Sequence, residues 1–547
     1  MKVVFVTWGI VSGLWKWVIT ASIAKILQSS GQKIWVLKID PYLQVDAGTM
    51  SPYEHWECYV TEDWAETDLD LGNYERFLGT SLKKENNITT GQVYLSVIQK
   101  ERAGEYLWQT VQIIPHITNE IKDRIKKVAK NNDITIVEVG GTVWDIESAP
   151  FLEAIRQLKR DLWEKNVFYI HLALLLELNF SWEIKTKPIQ HSIIKLREYW
   201  INANMLVCRT SKKMEEKIKE KISMLCDIDN DKVIEWKNVE TIYEVPLELE
   251  KQKVGEKILN YFWIKAKSDL KNWAKIVENI KNYDKETNIL IVWKYTKFED
   301  TYKSILEAFK HAWAKLKTKV NINFLESDDL EKKWITVLQK LFDQWKVDWI
   351  LVPGWFGKRW IEWMIKAIEF ARNNKIPFLG ICLGMQVAVI EYARNVCKLK
   401  NANSSEFDEN SAFKVIDIME NQKNIKNKWW TMRLWAYKAK LKKWSLVEKM
   451  YSPLPTSPLT GERSKNEELI ISERHRHRYE VNPEFHNILE ENWLIISWTS
   501  PDWSLVEFIE LNNHPFFVAT QAHPEFQSSL ENPHPLFVGL VEKSVEK

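Results

Sequence analysis

A cysteine placed between two glycines is the first candidate for chemistry in this sequence. The stretch 378–386 reads FLGICLGMQ, so an apolar run ends at Cys382, with a glycine two positions before it and another two positions after it. A strand, a sharp turn and a helix form the elbow that exposes a nucleophile, and side chains at the flanking positions would collide with neighbouring elements. The pattern therefore predicts that Cys382 is a nucleophile.

A base for this nucleophile stands far downstream, directly after the apolar run 516–519. A thiolate nucleophile requires a base, and the base requires an orienting group. His523 and Glu525 supply both and complete a Cys–His–Glu triad. The alternative is a buried structural cysteine, which is the commoner role of a lone cysteine. The glycines and the His-x-Glu spacing favour the triad.

The N-terminus offers phosphate-binding chemistry. A strand-like run at 2–7 precedes a loop, then Lys16, then a helical pattern over 18–27, and a second strand-like run covers 33–39. This is the P-loop order, in which backbone N–H groups at a helix N-terminus hold phosphate and a lysine adds charge. Trp15 and Trp17 flank the lysine where glycine is expected, and no Ser or Thr follows it. By itself the motif fits an ordinary basic helix start equally well.

Carboxylates follow in two places. The segment 62–70 is dense in Asp and Glu, and Glu138 ends a predicted strand over 134–139. Ligands of α/β folds bind at the carboxyl ends of strands, and Mg²⁺ is commonly held by one or two carboxylates together with substrate phosphates. A solvated acidic loop is the alternative for the segment 62–70.

Bulk composition limits the class of protein. A chain of 547 residues is too long for one core, so at least two domains are expected. The 76 basic and 74 acidic residues nearly balance, which argues against nucleic acid as a partner. Five cysteines without metal spacing fit a reducing, cytoplasmic setting. The apolar run 171–178 is too short to span a membrane.

Several long motifs resemble the CTP synthase family. They are KIDPY at 38–42, GTMSP at 48–52, ETDLDLG-x-YERF at 66–77, QIIPHIT at 112–118 and KTKP at 185–188. The resemblance covers about 1–265 and 288–547, and it implies an α/β fold of two domains. The first would be a P-loop-type amidoligase with a parallel sheet (1–265), and the second a class I glutamine amidotransferase (288–547), joined by a polar linker (266–287).

The resemblance also implies roles for residues in the first domain. Asp70 and Glu138 would hold Mg²⁺, Lys16 and Lys38 would bind phosphate, and His55 lies in a segment that the family places near an ammonia passage. The remaining nucleotide-binding residues for UTP and ATP would be Ser12, Gly13, Leu14, Trp15, Trp17, Val18, Asp145, Ile146, Glu147, Lys185, Thr186, Lys187, Pro188, Ile189, Gln190, Lys221, Lys237, Asn238 and Val239.

In the second domain, the resemblance implies a glutamine site. Its residues would be Gly354, Trp355, Leu383, Gln386, Glu406 and Arg476, with the loop at 353–357 supplying an oxyanion N–H. The family further implies GTP as an activator, a homotetramer, and filaments. Two alternatives remain: another glutamine-dependent amidoligase, and an inactive homologue that serves as an assembly partner.

Tryptophan stands where the family pattern has glycine. The positions are Trp8, Trp15, Trp17, Trp56, Trp64, Trp108, Trp144, Trp182, Trp293, Trp355, Trp430 and Trp435. The chain has 29 tryptophans and 17 glycines, whereas average usage of about 7% would give roughly 38 glycines. Because every replacement runs in one direction, we hypothesise that UGA codons for glycine were translated as tryptophan. The alternative is a set of genuine tryptophans that obstruct the phosphate and oxyanion loops of an inactive relative.

Overall fold

A computed structural model describes residues 1–9, 15–48, 50, 57–178, 183–292, 302–325, 347–354, 360–418, 433–452, 462–463, 469–499 and 505–546. The predicted site residues Ser12, Gly13, Leu14 and Trp355 lie outside these ranges, as do His55 and much of the connection 449–470. Within the described residues, no helix is both long and apolar enough to cross a bilayer.

The chain divides into two compact units. The first comprises Met1–Met50 and Thr67–Val277, and the second comprises Ser51–Glu66 and Glu278–Lys547. The sequence had placed 51–66 in the first domain, but described residues of this segment bond to the second unit, as in the Ser304 N–H that donates to Glu57 Oε2 at 2.8 Å. The predicted linker contains a helix with a buried Trp273.

A seven-stranded sheet in the order β11-β10-β7-β1-β6-β2-β5 forms the centre of the first unit. All of its strand pairings among the described residues are parallel, as expected for nearly continuous apolar strands that are covered on both faces. The strands up to this point of the chain are β1 (Lys2–Trp8), β2 (Ile34–Asp40), β3 (Tyr59–Val60), β4 (Glu66–Thr67), β5 (Asn87–Thr89), β6 (Ile134–Val139), β7 (Val167–Leu174), β8 (Leu176–Leu178), β9 (Glu183–Lys185), β10 (Met205–Thr210) and β11 (Val233–Lys237).

Helices cover this sheet, and apolar side chains fill the space between the two layers. The helices are α1 (Lys16–Ser29), α2 (Asp70–Leu78), α3 (Thr90–Arg102), α4 (Thr118–Ala129), α5 (Ala149–Asp161), α6 (Lys187–Glu198), α7 (Glu216–Cys226), α8 (Val245–Lys251), α9 (Val254–Tyr261) and α10 (Lys271–Lys281). The predicted strand over 134–139 has the observed bounds, and the predicted helix over 18–27 extends to 16–29.

The second unit contains a ten-stranded mixed sheet in the order β13-β12-β14-β15-β24-β23-β22-β18-β20-β19. Its strands, with those of a small separate sheet (β16-β17-β21), are β12 (Lys285–Val292), β13 (Thr318–Leu325), β14 (Trp349–Val352), β15 (Phe378–Ile381), β16 (Asn403–Ser404), β17 (Lys414–Ile418), β18 (Arg433–Leu441), β19 (Glu462–Arg463), β20 (Leu469–His477), β21 (Tyr479–Val481), β22 (Ile495–Thr499), β23 (Val506–Glu510) and β24 (Phe517–Thr520).

The pairings from β13 to β24 are parallel, and those beyond β24 are antiparallel. The helices of this unit are α11 (Lys303–Leu316), α12 (Ile361–Asn373), α13 (Leu383–Asn395), α14 (Leu446–Tyr451), α15 (His486–Glu491) and α16 (Pro535–Val545). The two-unit α/β fold predicted from the sequence is confirmed, with a parallel sheet in the first unit.

Tryptophan recurs where the backbone φ angle is positive. Among the described non-glycine residues with positive φ, seven belong to other residue types and nine are tryptophan: Trp15, Trp64, Trp108, Trp163, Trp200, Trp263, Trp360, Trp444 and Trp493. A left-handed backbone costs an ordinary L-residue roughly 1–2 kcal/mol, and glycine adopts it readily. The backbone at these nine positions is therefore of the kind that favours glycine.

Three of these tryptophans follow a helix in the same hydrogen-bonding arrangement. Trp200, Trp263 and Trp493 come after α6, α9 and α15. Each donates its N–H to the carbonyl three residues back, and the next N–H reaches the carbonyl five residues back. This is the Schellman motif, whose left-handed position is usually glycine. The three indole side chains are 78–83% exposed, so burial of the indole offers no compensation.

Candidate functional site

The cysteine elbow has the geometry that its sequence predicts. Strand β15 ends at Ile381, Cys382 has φ 51° and ψ −103°, and helix α13 begins at the next residue. A Cβ atom on Gly384 would lie 2.1 Å from the Val352 carbonyl oxygen, and one on Gly380 would lie 2.9 Å from the Ala519 Cβ. Glycine is therefore required on both sides of the cysteine, whose strained backbone is typical of a nucleophile elbow.

His523 and Glu525 lie at the same end of the sheet as Cys382. The Nδ1 atom of His523 is 2.6 Å from Glu525 Oε1, and both side chains are buried. A Cβ on Gly354 would lie 2.8 Å from His523 Cε1 and 3.1 Å from Cys382 Cβ, so all three residues border one small space. The structure thus brings the predicted triad together, beside Gly354, which belongs to the predicted oxyanion loop.

The electrostatics of this site favour a protonated imidazole. Burial alone would lower the pKa of His523, but the negative charges of Glu525 and of the Cys382 sulfur outweigh it and raise that pKa to about 10. An imidazolium next to a thiolate is the charge state in which a cysteine attacks and a histidine protonates the leaving group.

Polar side chains surround the cysteine. Gln386 donates to the Tyr479 carbonyl at 2.9 Å and to Gln521 Oε1 at 3.4 Å, and Gln521 Nε2 lies 3.7 Å from Cys382 Sγ. The carbonyl oxygen of Arg476 is 4.0 Å from the same sulfur. Through Gln521, these contacts link the side chain of the predicted residue Gln386 to Cys382.

The other residues predicted to bind the substrate glutamine occupy different positions. Leu383 is buried and is the first residue of α13. The side chain of Arg476 is bonded to Glu66 Oε1 at 2.8 Å. Glu406 is an electrostatic neighbour that helps to raise the pKa of Tyr479, after burial of that phenol. Arg476 is therefore close to the cysteine through its backbone, and its guanidinium is paired with Glu66.

A second site lies at the carboxyl edge of the first unit's sheet. Lys38 and Glu138 are register partners on β2 and β6. The Lys38 ammonium is 2.8 Å from Asp40 Oδ1 and forms a very short bond with Asp70. Although burial lowers the pKa of Lys38, the charges of Asp40, Asp70 and Glu138 raise it overall. Lys38 is thus a fixed positive charge among carboxylates.

Lys16, the first residue of α1, reaches the same edge. Its ammonium donates to the Gly141 carbonyl at 3.1 Å and lies 5.3 Å from the ring centre of Trp8. Burial lowers the pKa of Lys16, and Lys38 adds to that effect, while Glu138 opposes it. Both predicted phosphate-binding lysines therefore lie at the carboxyl edge of this sheet.

Carboxylates are in excess at this edge. Burial and the neighbouring charge of Asp70 raise the pKa of Asp68 to about 8. Burial is also the main cause that raises the pKa of Glu138, with Asp70 adding to it. Buried carboxylates with raised pKa values indicate a place where a further positive charge would be stabilised.

The fit of this edge to Mg²⁺ rests on Glu138. Its Oε2 atom accepts the Tyr74 hydroxyl at 2.6 Å, and its buried Oε1 atom has no hydrogen-bond partner among the described residues. No group of three or more His, Cys, Asp or Glu in the described part of the chain converges to hold a metal alone. Mg²⁺ needs only one or two carboxylates when phosphates supply other ligands, so Asp70 and Glu138 fit that ion in the presence of a nucleotide.

The predicted pyrimidine residues follow the same edge in part. Asp145 accepts the Thr142 N–H at 2.6 Å, just after β6, while Ile146 and Glu147 are exposed. Lys237 is the last residue of β11, and Asn238 accepts a bond from Arg209 at 3.3 Å. Of the others, Lys185 is the last residue of β9, Thr186 precedes α6, and Val239 follows β11. The first turn of α6 contains Lys187, Pro188, Ile189 and Gln190. Lys221 lies on an exposed position within α7.

Arg209 is a residue of this edge that sequence inspection missed. It lies near the end of β10, with its guanidinium 4.5 Å from the ring centre of Trp236 and 5.0 Å from that of Trp15. The pKa of Arg209 is lowered by burial. The available signal was its position next to the last residue of a strand that ends at a ligand-binding edge.

Comparison with known proteins gives a family match for each part of the chain. The CTP synthase N-terminus family matches residues 2–264, and the class-I glutamine amidotransferase family matches residues 297–543. A CTP synthase of Methanococcus aeolicus is 54% identical over 553 residues, covering 100% of this chain and 99% of that protein. One of Methanocaldococcus jannaschii is 52% identical over 547 residues, covering 100% and 98%.

Among solved structures, the glutaminase domain of Trypanosoma brucei CTPS with bound acivicin is 36% identical, covers 48% of this chain and 94% of that chain, and gives a TM-score of 0.42. The relatives that match along the whole chain carry the assignment. With more than half of its residues identical to those proteins from end to end, the chain belongs to the CTP synthase family.

Proposed function

We infer that the chain makes CTP from UTP, ATP and glutamine, and that its two sites divide the work. The observation that carries this assignment is that one chain of the CTP synthase family contains two chemically different sites. The second unit contains a cysteine–histidine–glutamate elbow, and the first contains two lysines among carboxylates at a parallel-sheet edge.

In the second unit, Cys382 and His523 release ammonia from glutamine. The Cys382 thiolate attacks the side-chain amide carbon, and the His523 imidazolium gives its proton to the departing nitrogen, so that ammonia leaves and a thioester remains. Water then attacks the thioester while His523 accepts its proton, which releases glutamate and restores the thiolate. Glu525 orients His523 and stabilises its charge throughout. The raised pKa of His523 supports the imidazolium form at neutral pH.

The substrate's other groups would be held by the surrounding residues. By family resemblance, Gly354, Trp355 and Leu383 would supply backbone around the oxyanion, where N–H donors stabilise developing negative charge. Gln386, Glu406 and Arg476 would bind the amino-acid end of glutamine. The Arg476 guanidinium is already paired with Glu66. It would therefore be shared between Glu66 and the amino-acid end of the substrate.

In the first unit, the O4 atom of UTP attacks the γ-phosphorus of ATP, and ADP leaves. Ammonia then attacks C4, the phosphate departs, and loss of a proton gives CTP. Lys16 and Lys38 neutralise the phosphates, so catalysis consists of positioning and charge stabilisation. Asp70 and Glu138 would hold Mg²⁺, which would supply further neutralisation of phosphate charge when bound. The nucleotide residues from Asp145 to Glu147, from Lys185 to Gln190, Lys221, and from Lys237 to Val239 would fix the base and ribose.

We also propose that tryptophans at glycine-like positions are UGA-encoded glycines. Nine tryptophans at positive φ support this, including six that the sequence had not singled out: Trp163, Trp200, Trp263, Trp360, Trp444 and Trp493. Trp15 gives functional support, because its ring stands over the edge where phosphate would bind, next to Arg209. Glycine there would leave the backbone accessible to a triphosphate.

A homotetramer, filaments, GTP activation and a cytoplasmic location complete the proposal. Exposed apolar side chains on α3 and the chain after it support assembly, because such side chains would be covered in a protein contact. They are Leu95, Ile98, Leu107, Ile113 and Ile114, each 42–70% exposed. GTP and the filaments rest on family resemblance.

The decisive experiment uses protein purified from the natural source, with peptide masses over residues 15–17 and assays with each substrate omitted in turn. We expect glycine masses at Trp15 and Trp17, and CTP formation that requires UTP, ATP and either glutamine or ammonia. Amidation of a different acceptor without UTP would favour another amidoligase. No amidation from either nitrogen source would favour an inactive assembly partner.

A further inference from the structure

Residues 57–66, here called the docked segment, belong to the second unit although the chain on both sides belongs to the first. Its backbone accepts a bond from the Ala436 N–H at 3.3 Å, through the Glu62 carbonyl. Its last residue, Glu66, pairs with Arg476. The segment is therefore an integral part of the unit that contains Cys382.

Tyr59 is the most buried large side chain of the docked segment, at 1% exposure. Its hydroxyl donates to the Phe526 carbonyl at 2.7 Å and accepts from Arg474 Nη1 at 2.7 Å. Arg474 Nη1 also donates to the Val60 carbonyl at 3.1 Å and lies 3.4 Å from the Phe526 carbonyl. The Tyr59 ring meets the Phe526 ring edge to face, with centroids 5.1 Å apart.

Phe526 and Arg474 are also the residues that hold His523. The His523 N–H donates to the Arg474 carbonyl at 2.8 Å, and the Phe526 N–H donates to the His523 carbonyl at 3.2 Å. The Phe526 ring stacks on the imidazole with centroids 5.1 Å apart and planes at 13°. Both the backbone and the ring of His523 are thus fixed by residues that Tyr59 contacts directly.

We propose that Tyr59 is a positioning residue for His523 and acts through Arg474 and Phe526. The Tyr59 hydroxyl completes a hydrogen-bond network with Arg474 and Phe526. This network fixes the position and orientation of the His523 imidazole beside Cys382. A displacement of about 1 Å at a reacting group can cost on the order of 10²-fold in rate. The inference rests on the proposed role of His523 in glutamine hydrolysis.

The test replaces Tyr59 by Phe in the full-length natural protein and measures glutamate release, CTP formation from ammonia, and pH dependence. Loss of one hydroxyl leaves the ring in place, so we expect kcat for glutamine hydrolysis to fall about 10-fold, with KM little changed and the alkaline limb of the pH profile displaced. CTP formation from ammonia remains at the wild-type rate.

The control is Tyr392→Phe, which removes another buried tyrosine hydroxyl of the same unit. The Tyr392 hydroxyl donates to the Asn492 carbonyl, far along α13 from the cysteine. This variant should keep the wild-type kcat. Equal kinetic losses in both variants, or a parallel loss of ammonia-driven CTP in Tyr59→Phe, would overturn the inference because either result indicates general destabilisation.

Two further outcomes separate this inference from the proposed function. If the unaltered protein hydrolyses glutamine and Tyr59→Phe matches it in kcat and pH profile, the positioning role is wrong and the function stands. If the unaltered protein hydrolyses no glutamine, the proposed function is wrong and the inference falls with it.

Discussion

The cysteine site of the second unit balances its charges within the protein, whereas the lysine–carboxylate site of the first unit does not. His523 is paired with Glu525, and the negative charges of Glu525 and of the Cys382 sulfur stabilise its imidazolium form. At the other site, Asp68 and Glu138 have raised pKa values despite two nearby lysines. The cysteine site is therefore organised before its neutral substrate binds, whereas the lysine–carboxylate site needs charged ligands to balance its charges.

The two sites also differ in their glycines. The elbow keeps Gly380 and Gly384, and a side chain at either position would collide with backbone or a neighbouring strand. The first site has Trp15 directly before its lysine, with φ 61°. Glycine thus stands where the elbow needs space, whereas tryptophan stands at a left-handed backbone position of the first site, which keeps glycine at another such position, Gly141, with φ 71°. A codon reassignment confined to UGA would replace some glycines by tryptophan and leave others unchanged.

The largest expected effect is the loss of glutamine-driven activity on replacement of Cys382, with ammonia-driven activity retained. Replacing Cys382 by Ala should lower glutamine-driven CTP formation by about 10³-fold or more, because no other group can form the thioester. Ammonia-driven formation should stay within twofold of the wild type, by the same reasoning. Cys397→Ala, at a half-buried cysteine of the same unit, is the control. Loss of ammonia-driven activity in Cys382→Ala would contradict the division of labour.

A smaller effect is expected from the first site. Glu138→Gln keeps the shape but removes a charge, so CTP formation from ammonia should fall about 10²-fold and require more Mg²⁺. Basal glutamine hydrolysis should be unchanged. Asp161→Asn alters a carboxylate paired with surface lysines and serves as control. Unaltered Mg²⁺ dependence in Glu138→Gln would exclude this carboxylate as a ligand.

The pH dependence should reveal the balanced charges of the second site. Glu525 raises the pKa of His523, so Glu525→Gln should lower it and move the alkaline limb of glutamine hydrolysis down by roughly 1–3 pH units. Because the pKa in the folded protein, about 10, exceeds the ordinary 6.5, the stabilisation is complete below pH 6.5 and is lost as the pH rises through about 10.

Denaturant unfolding at several pH values checks this sign. The unfolding free energy should decline over that pH window in the wild type and decline less in Glu525→Gln. An identical decline in both proteins would show that other groups dominate.

The smallest effect concerns the tryptophans themselves. In protein carrying tryptophan, Trp200→Gly should raise the free energy of unfolding by about 1 kcal/mol, because it relieves a left-handed backbone. Trp273→Gly is the opposite case, since this indole is buried and donates to the Tyr243 carbonyl at 2.8 Å. That change should cost about 3–5 kcal/mol. Urea denaturation measures both, and destabilisation by Trp200→Gly would argue for a genuine tryptophan there.

Much of the catalytic geometry could be predicted from local sequence. The elbow at Cys382 and the partners His523 and Glu525 carry their own signals in glycine spacing and apolar runs, and the structure brings them together. The strand over 134–139 likewise has its predicted bounds. These features depend on short stretches whose dihedrals and periodicity are set by neighbouring residues.

Long-range pairings could not be predicted in this way. Nothing near Tyr59 in sequence indicates that its hydroxyl reaches Phe526, more than four hundred residues later. Nor does the sequence of β10 reveal that Arg209 stands between two indole rings. The polar composition of 266–287 predicted a linker, yet apolar residues at helical spacing, Trp273 and Val277 among them, fold part of it onto a core.

The placement of the docked segment bears on how such a protein can be divided. A single cut at the linker would leave residues 57–66 on the fragment that lacks Cys382, although their bonds are made to the other fragment. If the gene were split at the linker, the amidotransferase fragment would lack these ten residues. It would have to bind them on the other fragment before the contacts that position His523 could form. Keeping both activities on one polypeptide removes that assembly step.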